Sequence, residues 1–415
     1  ESYLQRSNQK DEQGNRLVAN TESNGRFHSD WLNMMYPRLK LARNLLREDG
    51  VIFVSIADHE IHTLRSLMSE VFGAENFVAT LIWQKVFSPK NSARHFSEDH
   101  DYIVVFAKSG EAWKPTLLPR TAEMEARYSN QDNDPRGPWT SGDLSARNYY
   151  GDGTYSITCP SGRVIPGPPP GTYWRVSPRK FKELDADKRI WWGPDGNNQP
   201  RLKRFLSDVQ DGRVPQTLLT HQEVGHTQEA KKELMGSVSF ESSDSVFDTP
   251  KPLRLMQRLL QVGTSPKDAD TIVMDFFAGT GTLQAATYLQ NAEDGGKRHC
   301  IQVQIAEALA GARPADALQT IADITKARVR KVGETLFAKQ TKPSQGDLLE
   351  AAEPTTSSTP PDVGFRVLKI DSSNFDESFY KKPDEVLQTE LLGMVDNIKS
   401  DRSGEDLLFQ VLLDW

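Results

Sequence analysis

The chain has 415 residues and a formal net charge of −7, enough length for two or three domains with sizeable cores. It shows no signal-peptide pattern and no apolar run of the roughly 18 residues a membrane helix needs, so a soluble, intracellular, cytoplasmic protein is expected. Cys159 and Cys300 are its only cysteines, far apart and without ligand spacing, which excludes a disulfide scaffold and a cysteine-based zinc site.

Residues 1–29 are polar and read as loop, with Ser29 and Asp30 as helix caps. From Leu32, the apolar positions Met35, Leu39, Ala42 and Leu46 recur at helical spacing around Pro37. VIFVSI at 51–56 is apolar on both alternating faces, as in a parallel strand covered on two sides. Asp58 can cap a helix running to Phe72, and LIWQKVF at 81–87 and DYIVVFAK at 101–108 read as two further strands. Between 109 and 246 the pattern dissolves into aromatic, Pro-rich and Gly-rich pieces. Periodicity returns with the helical PKPLRLMQRLLQ from 250, a strand at 271–277, a helix, a strand HCIQVQI at 299–305 and a helix at 315–330. The stretch from Thr341 to Asp362 is linker-like, GFRVLKI at 364–370 is a last candidate strand, and EDLLFQVLLDW at the end is amphipathic. The start at Glu1 and the stop at Trp415 are expected to be cuts through a longer gene product.

Charge is uneven along this order. Residues 111–240 hold 18 Lys and Arg against 16 Asp and Glu, the only net-positive segment, and five of the eight tryptophans, whereas residues 331–415 hold 9 against 16. Basic residues interleaved with aromatics suit phosphate contact and base stacking, although tryptophan as core gives the same composition.

The stretch TIVMDFFAGTGT at 271–282 carries chemistry: a buried strand, an acidic residue, Gly-X-Gly and then a helix follow the order of a nucleotide-type cofactor loop. Side chains at Gly279 and Gly281 would hold a ligand away from the backbone, and glycine accepts positive φ without steric cost. A plain strand-to-helix turn has the same letters. A nicotinamide-dependent oxidoreductase fits less well, because it would carry a third glycine and place the loop near the start of its sheet.

FHSDWLNMMYPRLKLARNLLREDGVIFVSI, taken with SVFDTPKPLRLMQRLLQ, DFFAGTGT and NAEDGGKRHCIQVQ, resembles the modification subunit of type III restriction-modification systems. Those are DNA adenine-N6 methyltransferases of the permuted, or beta, class. The resemblance implies an α/β fold with a doubly wound, mostly parallel Rossmann-like sheet, interrupted by an irregular target-recognition insert. It divides the chain into a catalytic half (1–109), a DNA-binding insert (110–246), an S-adenosylmethionine half (247–335) and a linker with an acidic C-terminal region (336–415).

It further implies S-adenosylmethionine as cofactor, held by Phe247, Asp248, Thr249 and Lys251 around its carboxylate and by Asp275, Phe276, Ala278, Gly279 and Gly281 around its methionine end, with Gln304 facing the ribose. A carboxylate such as Asp275 suits an ammonium, and a hydroxyl with a lysine suits an anion. Base edges and phosphates fall to Arg136, Arg147, Arg175, Asn198, Arg201, Lys203 and Arg204 in the insert. The partners implied are double-stranded DNA, a second copy in a homodimer and a helicase-nuclease restriction subunit. No metal is implied. The D-P-P-Y loop on which adenine transfer depends occurs nowhere in the 415 residues; GPPPGTYW is the nearest string. The family places that loop upstream of Glu1, so this chain is expected to bind cofactor weakly or not at all and not to transfer methyl groups. A non-catalytic DNA-binding or assembly fragment stays open as the alternative.

Overall fold

The computed structural model describes residues 27–89, 91–240, 249–309, 317–341, 361–370, 373–374 and 398–414. Contacts divide the chain into two units, Glu1–Val363 and Gly364–Trp415.

The first unit begins with α1 (Phe27–Leu45), which continues through Pro37. β1 (Val51–Ile56), α2 (Ile61–Phe72), β2 (Phe77–Gln84) and β3 (His100–Ala107) follow. Asp58 sits in a single 3-10 turn ahead of α2 and makes no capping bond; burial, with the nearby Asp58 carboxylate, raises the Tyr102 phenol above its ordinary range. Gly73 ends α2 at φ +94°, a conformation that costs glycine little.

The insert contains β4 (Trp139–Asp143), α3 (Pro178–Ala186) and β5 (Arg201–Phe205). β5 lies antiparallel between β4 and the short strand Ile190–Trp191. Leu144, Ile157, Cys159, Ile165, Trp174, Phe181, Ile190 and Trp192 form a core of its own. Trp139, Trp174 and Trp192 are buried; the tryptophans of this segment therefore serve mainly as core, and the exposed aromatics are Tyr149 and Tyr150.

The chain then returns through β6 (Leu218–Leu219), α4 (Thr227–Ser237), α5 (Leu253–Gly263), β7 (Ile272–Asp275), α6 (Thr282–Asp294), β8 (His299–Gln302) and α7 (Ile321–Thr341). One sheet has the order β1-β3-β2-β6 and a second pairs β7 with β8 in parallel. Alternation along β3 builds the layers: Val104 and Phe106 pack on Met35 and Leu39 of α1 and Leu64 and Met68 of α2, while Ile103 and Val105 pack with Trp83, Leu219 and Leu255 of α5. Helices thus cover both faces, the α/β arrangement expected from sequence.

Strand direction differs from a mostly parallel sheet. β3 runs antiparallel to both β1 and β2, and among the described residues only β2–β6 and β7–β8 are parallel. The connection from β2 to β3 carries no crossover helix among its described residues, and a loop of that kind returns the chain in the opposite sense. Apolar residues on both faces of a strand report burial, not the direction of its partner.

In the second unit, GFRVLKI forms no strand: residues 364–370 lack regular structure, with Val367, Leu368 and Ile370 exposed. Among the described residues of this unit the helix is α8 (Gly404–Asp414), opened by a reciprocal cap in which Ser403 N–H donates to Asp406 Oδ2 at 2.8 Å and Asp406 N–H to Ser403 Oγ at 3.3 Å. The linker-like stretch falls almost wholly outside the described residues.

Candidate cofactor-binding site

β7 ends at Asp275, and the chain turns sharply into α6 over the next six residues. Asp275 Oδ1 accepts from Phe277 N–H at 3.0 Å, Ala278 N–H donates to Val303 O at 3.2 Å, and Gly281 N–H donates to Ala278 O at 2.9 Å. Gly279 and Gly281 adopt φ +53° and +74°, the left-handed region that other L residues enter only with strain. A Cβ on Gly281 would lie 3.0 Å from Thr325 Cγ2 and 3.3 Å from Thr325 O. Gly281→Ala is therefore expected to cost about 1–3 kcal/mol, read as a lower urea midpoint for the first unit; an unchanged midpoint would show that the loop relaxes without penalty.

Three charged side chains at strand ends lie within electrostatic reach of Lys251. Asp275 is the last residue of β7, Lys85 follows β2 and Asp101 is the second residue of the antiparallel β3, at the end of that strand that pairs with the end of β2. Lys85 Nζ is 2.7 Å from Asp101 Oδ1. Lys251, between the buried Pro250 and Pro252, lies within electrostatic reach of Asp101, Asp275 and Lys85. Burial pushes the Lys251 ammonium below its ordinary range, and the two carboxylates offset this only in part. Burial likewise raises the Asp275 carboxyl, against the Phe277 N–H and Lys251. Each group is thus a desolvated charge with incomplete compensation, suited to a ligand carrying an anion and a cation a short distance apart. Crevices at the carboxyl ends of strands are where open α/β sheets bind ligands.

The structure brings Lys251, Asp275, Ala278, Gly279 and Gly281 to this edge. Thr249 is exposed at the start of the segment leading to α5, and Phe276 is half-buried with its ring 5.3 Å from that of Phe277. Phe247 and Asp248 lie outside the described residues. Gln304 differs from the expectation of a ribose contact: its Oε1 accepts from Gly279 N–H at 2.7 Å and its Nε2 donates to Ile305 O at 3.1 Å, so its amide holds the glycine loop. Lys85 and Asp101 were not singled out from sequence. Their signal is positional, since each stands at a strand boundary on the carboxyl edge, and that edge is defined only once the strands are paired.

The insert sorts its candidates by exposure. Arg147, Arg175, Asn198, Arg201 and Arg204 are exposed. Arg147 follows the short strand Ser145–Ala146 and Arg175 follows its antiparallel partner Tyr173–Trp174, with the exposed Tyr149 ring 5.2 Å from Tyr173. Arg201 pairs with Asp143 at the surface, at 2.9 Å. Arg136 is bound by Asp134 at 2.9 Å and Asp187 at 3.3 Å. Lys203 departs most from expectation: it is buried, with its ammonium between Asp132 and Asp134, and offers nothing to a groove.

Among the described residues no group of three or more His, Cys, Asp or Glu side chains could hold a metal, and no helix is long and apolar enough to cross a membrane.

Residues 7–307 match the family described as DNA methylase, of N6 and N4 methyltransferases. The chain is 32% identical over 316 residues to the Mod subunit of the type III restriction-modification enzyme StyLTI of Salmonella typhimurium LT2, covering 75% of this chain and 46% of that one. It is 29% identical over 388 residues to the EcoPI Mod subunit of Escherichia phage P1, covering 86% and 55%. With the type II methyltransferase M.KpnI of Klebsiella pneumoniae it shares 26% over 326 residues, covering 74% and 75%. The chain spans about half the length of the type III relatives it matches. With nearly three quarters of its length inside the family match, the chain belongs to the N6/N4 DNA methylase family.

Proposed function

We propose that this chain forms the cofactor-holding and DNA-contacting part of a cytoplasmic DNA adenine-N6 methyltransferase that draws its methyl group from S-adenosylmethionine and acts as the modification subunit of a type III restriction-modification system. The observation that carries the reading is the convergence of Lys251, Asp101 and Asp275 beside the loop of Gly279 and Gly281. Lys251 would hold the carboxylate of the cofactor's amino-acid end and Asp275 its ammonium, while the glycines let the backbone come close. Bound there, the cofactor supplies an electrophilic methyl on sulfur; the protein's part is to fix that methyl in line with an exocyclic nitrogen and to exclude water, so positioning supplies most of the rate.

Double-stranded DNA would lie across the insert, with Arg147, Arg175, Arg201 and Arg204 on phosphates and base edges and Asn198 near them. Arg147→Ala and Arg175→Ala are each expected to weaken DNA binding evenly across sequences and to lower the salt slope of the affinity by about 1, read by fluorescence anisotropy across a salt series; an unchanged slope removes the residue from the interface. A homodimer and a restriction subunit complete the assembly in this reading. Transfer of tritiated methyl to plasmid DNA, by this chain and by a version extended upstream to include a D-P-P-Y loop, tests the whole. Labelling by the extended form is expected, and labelling by neither sinks the reading. Labelling by neither form while DNA binding persists would instead fit a non-catalytic DNA-binding or assembly fragment.

A further inference from the structure

α7 lies beyond the residues that match the methylase family, yet two of its side chains grip the glycine loop. Thr325 Oγ1 donates to Gly279 O at 2.6 Å. Arg328 Nη1 donates to Thr280 Oγ1 at 3.0 Å and to Thr282 Oγ1 at 2.8 Å. The Arg328 side chain is fully buried, and its Nη2 stands 3.9 Å from Glu233 Oε2 on α4, which precedes the 249–252 segment in the chain. The same Glu233 Oε2 accepts from Leu253 N–H at 3.0 Å, the first residue of α5 and the one directly after Pro252. One carboxylate oxygen therefore lies between the end of the Thr249–Pro252 stretch and a guanidinium fastened to the Gly279–Thr282 stretch.

Burying an arginine whose Nε and Nη2 find no hydrogen-bond partner is costly, and an apolar side chain would fill the space with less penalty. Burial lowers the Arg328 guanidinium to about 10, only partly offset by Glu233, and raises the Glu233 carboxyl. A role in packing alone does not account for that expense; a rigid planar fork that sets a distance does.

We propose that Glu233 and Arg328 act as a spacer that fixes the separation of the two cofactor-facing stretches, so that two residues which do not touch S-adenosylmethionine set its affinity. The proposal rests on the cofactor reading of the pocket, and both are positioning residues.

The test uses the full chain as wild type, Glu233→Gln, Arg328→Met, Arg328→Lys and the Glu233→Gln/Arg328→Met double variant. Calorimetry gives the Kd for S-adenosylmethionine up to millimolar concentration, hydrogen exchange follows the amides of residues 275–282, and thermal unfolding gives Tm. Each of Glu233→Gln and Arg328→Met is expected to raise Kd by about tenfold and to speed loop exchange. The double variant should be no worse than the poorer single, as for groups acting as a unit, and Arg328→Lys, which keeps the charge without the fork, should recover part of the loss. A pair that only stabilises the fold would lower Tm and leave Kd unchanged in the folded protein. Wild-type binding with unchanged Kd and loop exchange in folded Arg328→Met, or additive effects in the double variant, overturns the spacer alone. No binding by the wild-type chain overturns the cofactor reading, and the affinity claim with it.

Discussion

Lys203→Met is expected to destabilise the insert by about 3–5 kcal/mol, because it removes the one cation that sits between two carboxylates. The Lys203 side chain is 4% exposed, those of Asp134 and Asp132 are 3% and 25% exposed, and the ammonium donates to both. Methionine fills similar space but leaves two like charges facing each other in a poorly solvated site. Hydrogen bonds from Arg136 hold the Asp134 carboxyl well below the ordinary range, against burial and with further help from Lys203. Burial alone would raise Asp132, but the bonds from Lys203 and Trp139 outweigh it and lower it as well. Both folded-state values lie below the unfolded ones, so the stability they contribute is present above the unfolded carboxylate pKa and is lost as pH falls through the folded values. Wild-type stability should therefore decline below about pH 5, and Lys203→Met should flatten that decline. Urea unfolding followed by tryptophan fluorescence between neutral and acid pH measures both. A Lys203→Met variant as stable as wild type but weakened on DNA would return this lysine to the recognition surface.

Asp275→Asn is expected to raise the Kd for S-adenosylmethionine by about tenfold to a hundredfold, the loss of a hydrogen bond between charged groups at about 1.5–3 kcal/mol. The neutral amide keeps the shape and can still accept from Phe277 N–H, so the fold should hold. pH dependence is the sharper readout. Burial raises Asp275 in the free protein, and a bound ammonium would lower it again, so between the bound and free values binding must release a proton. Affinity should then fall as pH drops below the raised Asp275 value, and this acid limb should vanish in Asp275→Asn. Lys251 has the opposite sign: burial lowers it, a bound carboxylate would raise it, and affinity should fall as pH climbs past the lowered value. Calorimetry in buffers of different ionisation heat counts the protons directly. An acid limb that survives in Asp275→Asn would place the ammonium elsewhere.

The sequence alone determined the strongly periodic elements on either side of the insert, because their signals are local. Periodicity and two-faced apolar runs located α1, β1, α2 and α5 to within a few residues, and the Gly-X-Gly letters located a turn whose two glycines do adopt positive φ. Exclusion of a cysteine framework also needed nothing beyond composition. GFRVLKI, the last candidate strand, lacks regular structure, since a strand needs a partner edge that a short apolar run does not supply.

Tertiary structure alone decided which charges meet. Lys203 looked available because its surroundings are turn-like with no obvious apolar face, and nothing in those letters shows that Asp132 and Asp134 close over it from some seventy residues away. Lys85 and Asp101 joined the site because β2 and β3 are antiparallel, a pairing that burial patterns do not encode. Arg328 reaches the glycine loop across 46 residues of sequence. Electrostatic partners and hydrogen bonds depend on distances of a few ångströms in space, and separation along the chain carries almost no information about those distances until the strands and helices are packed.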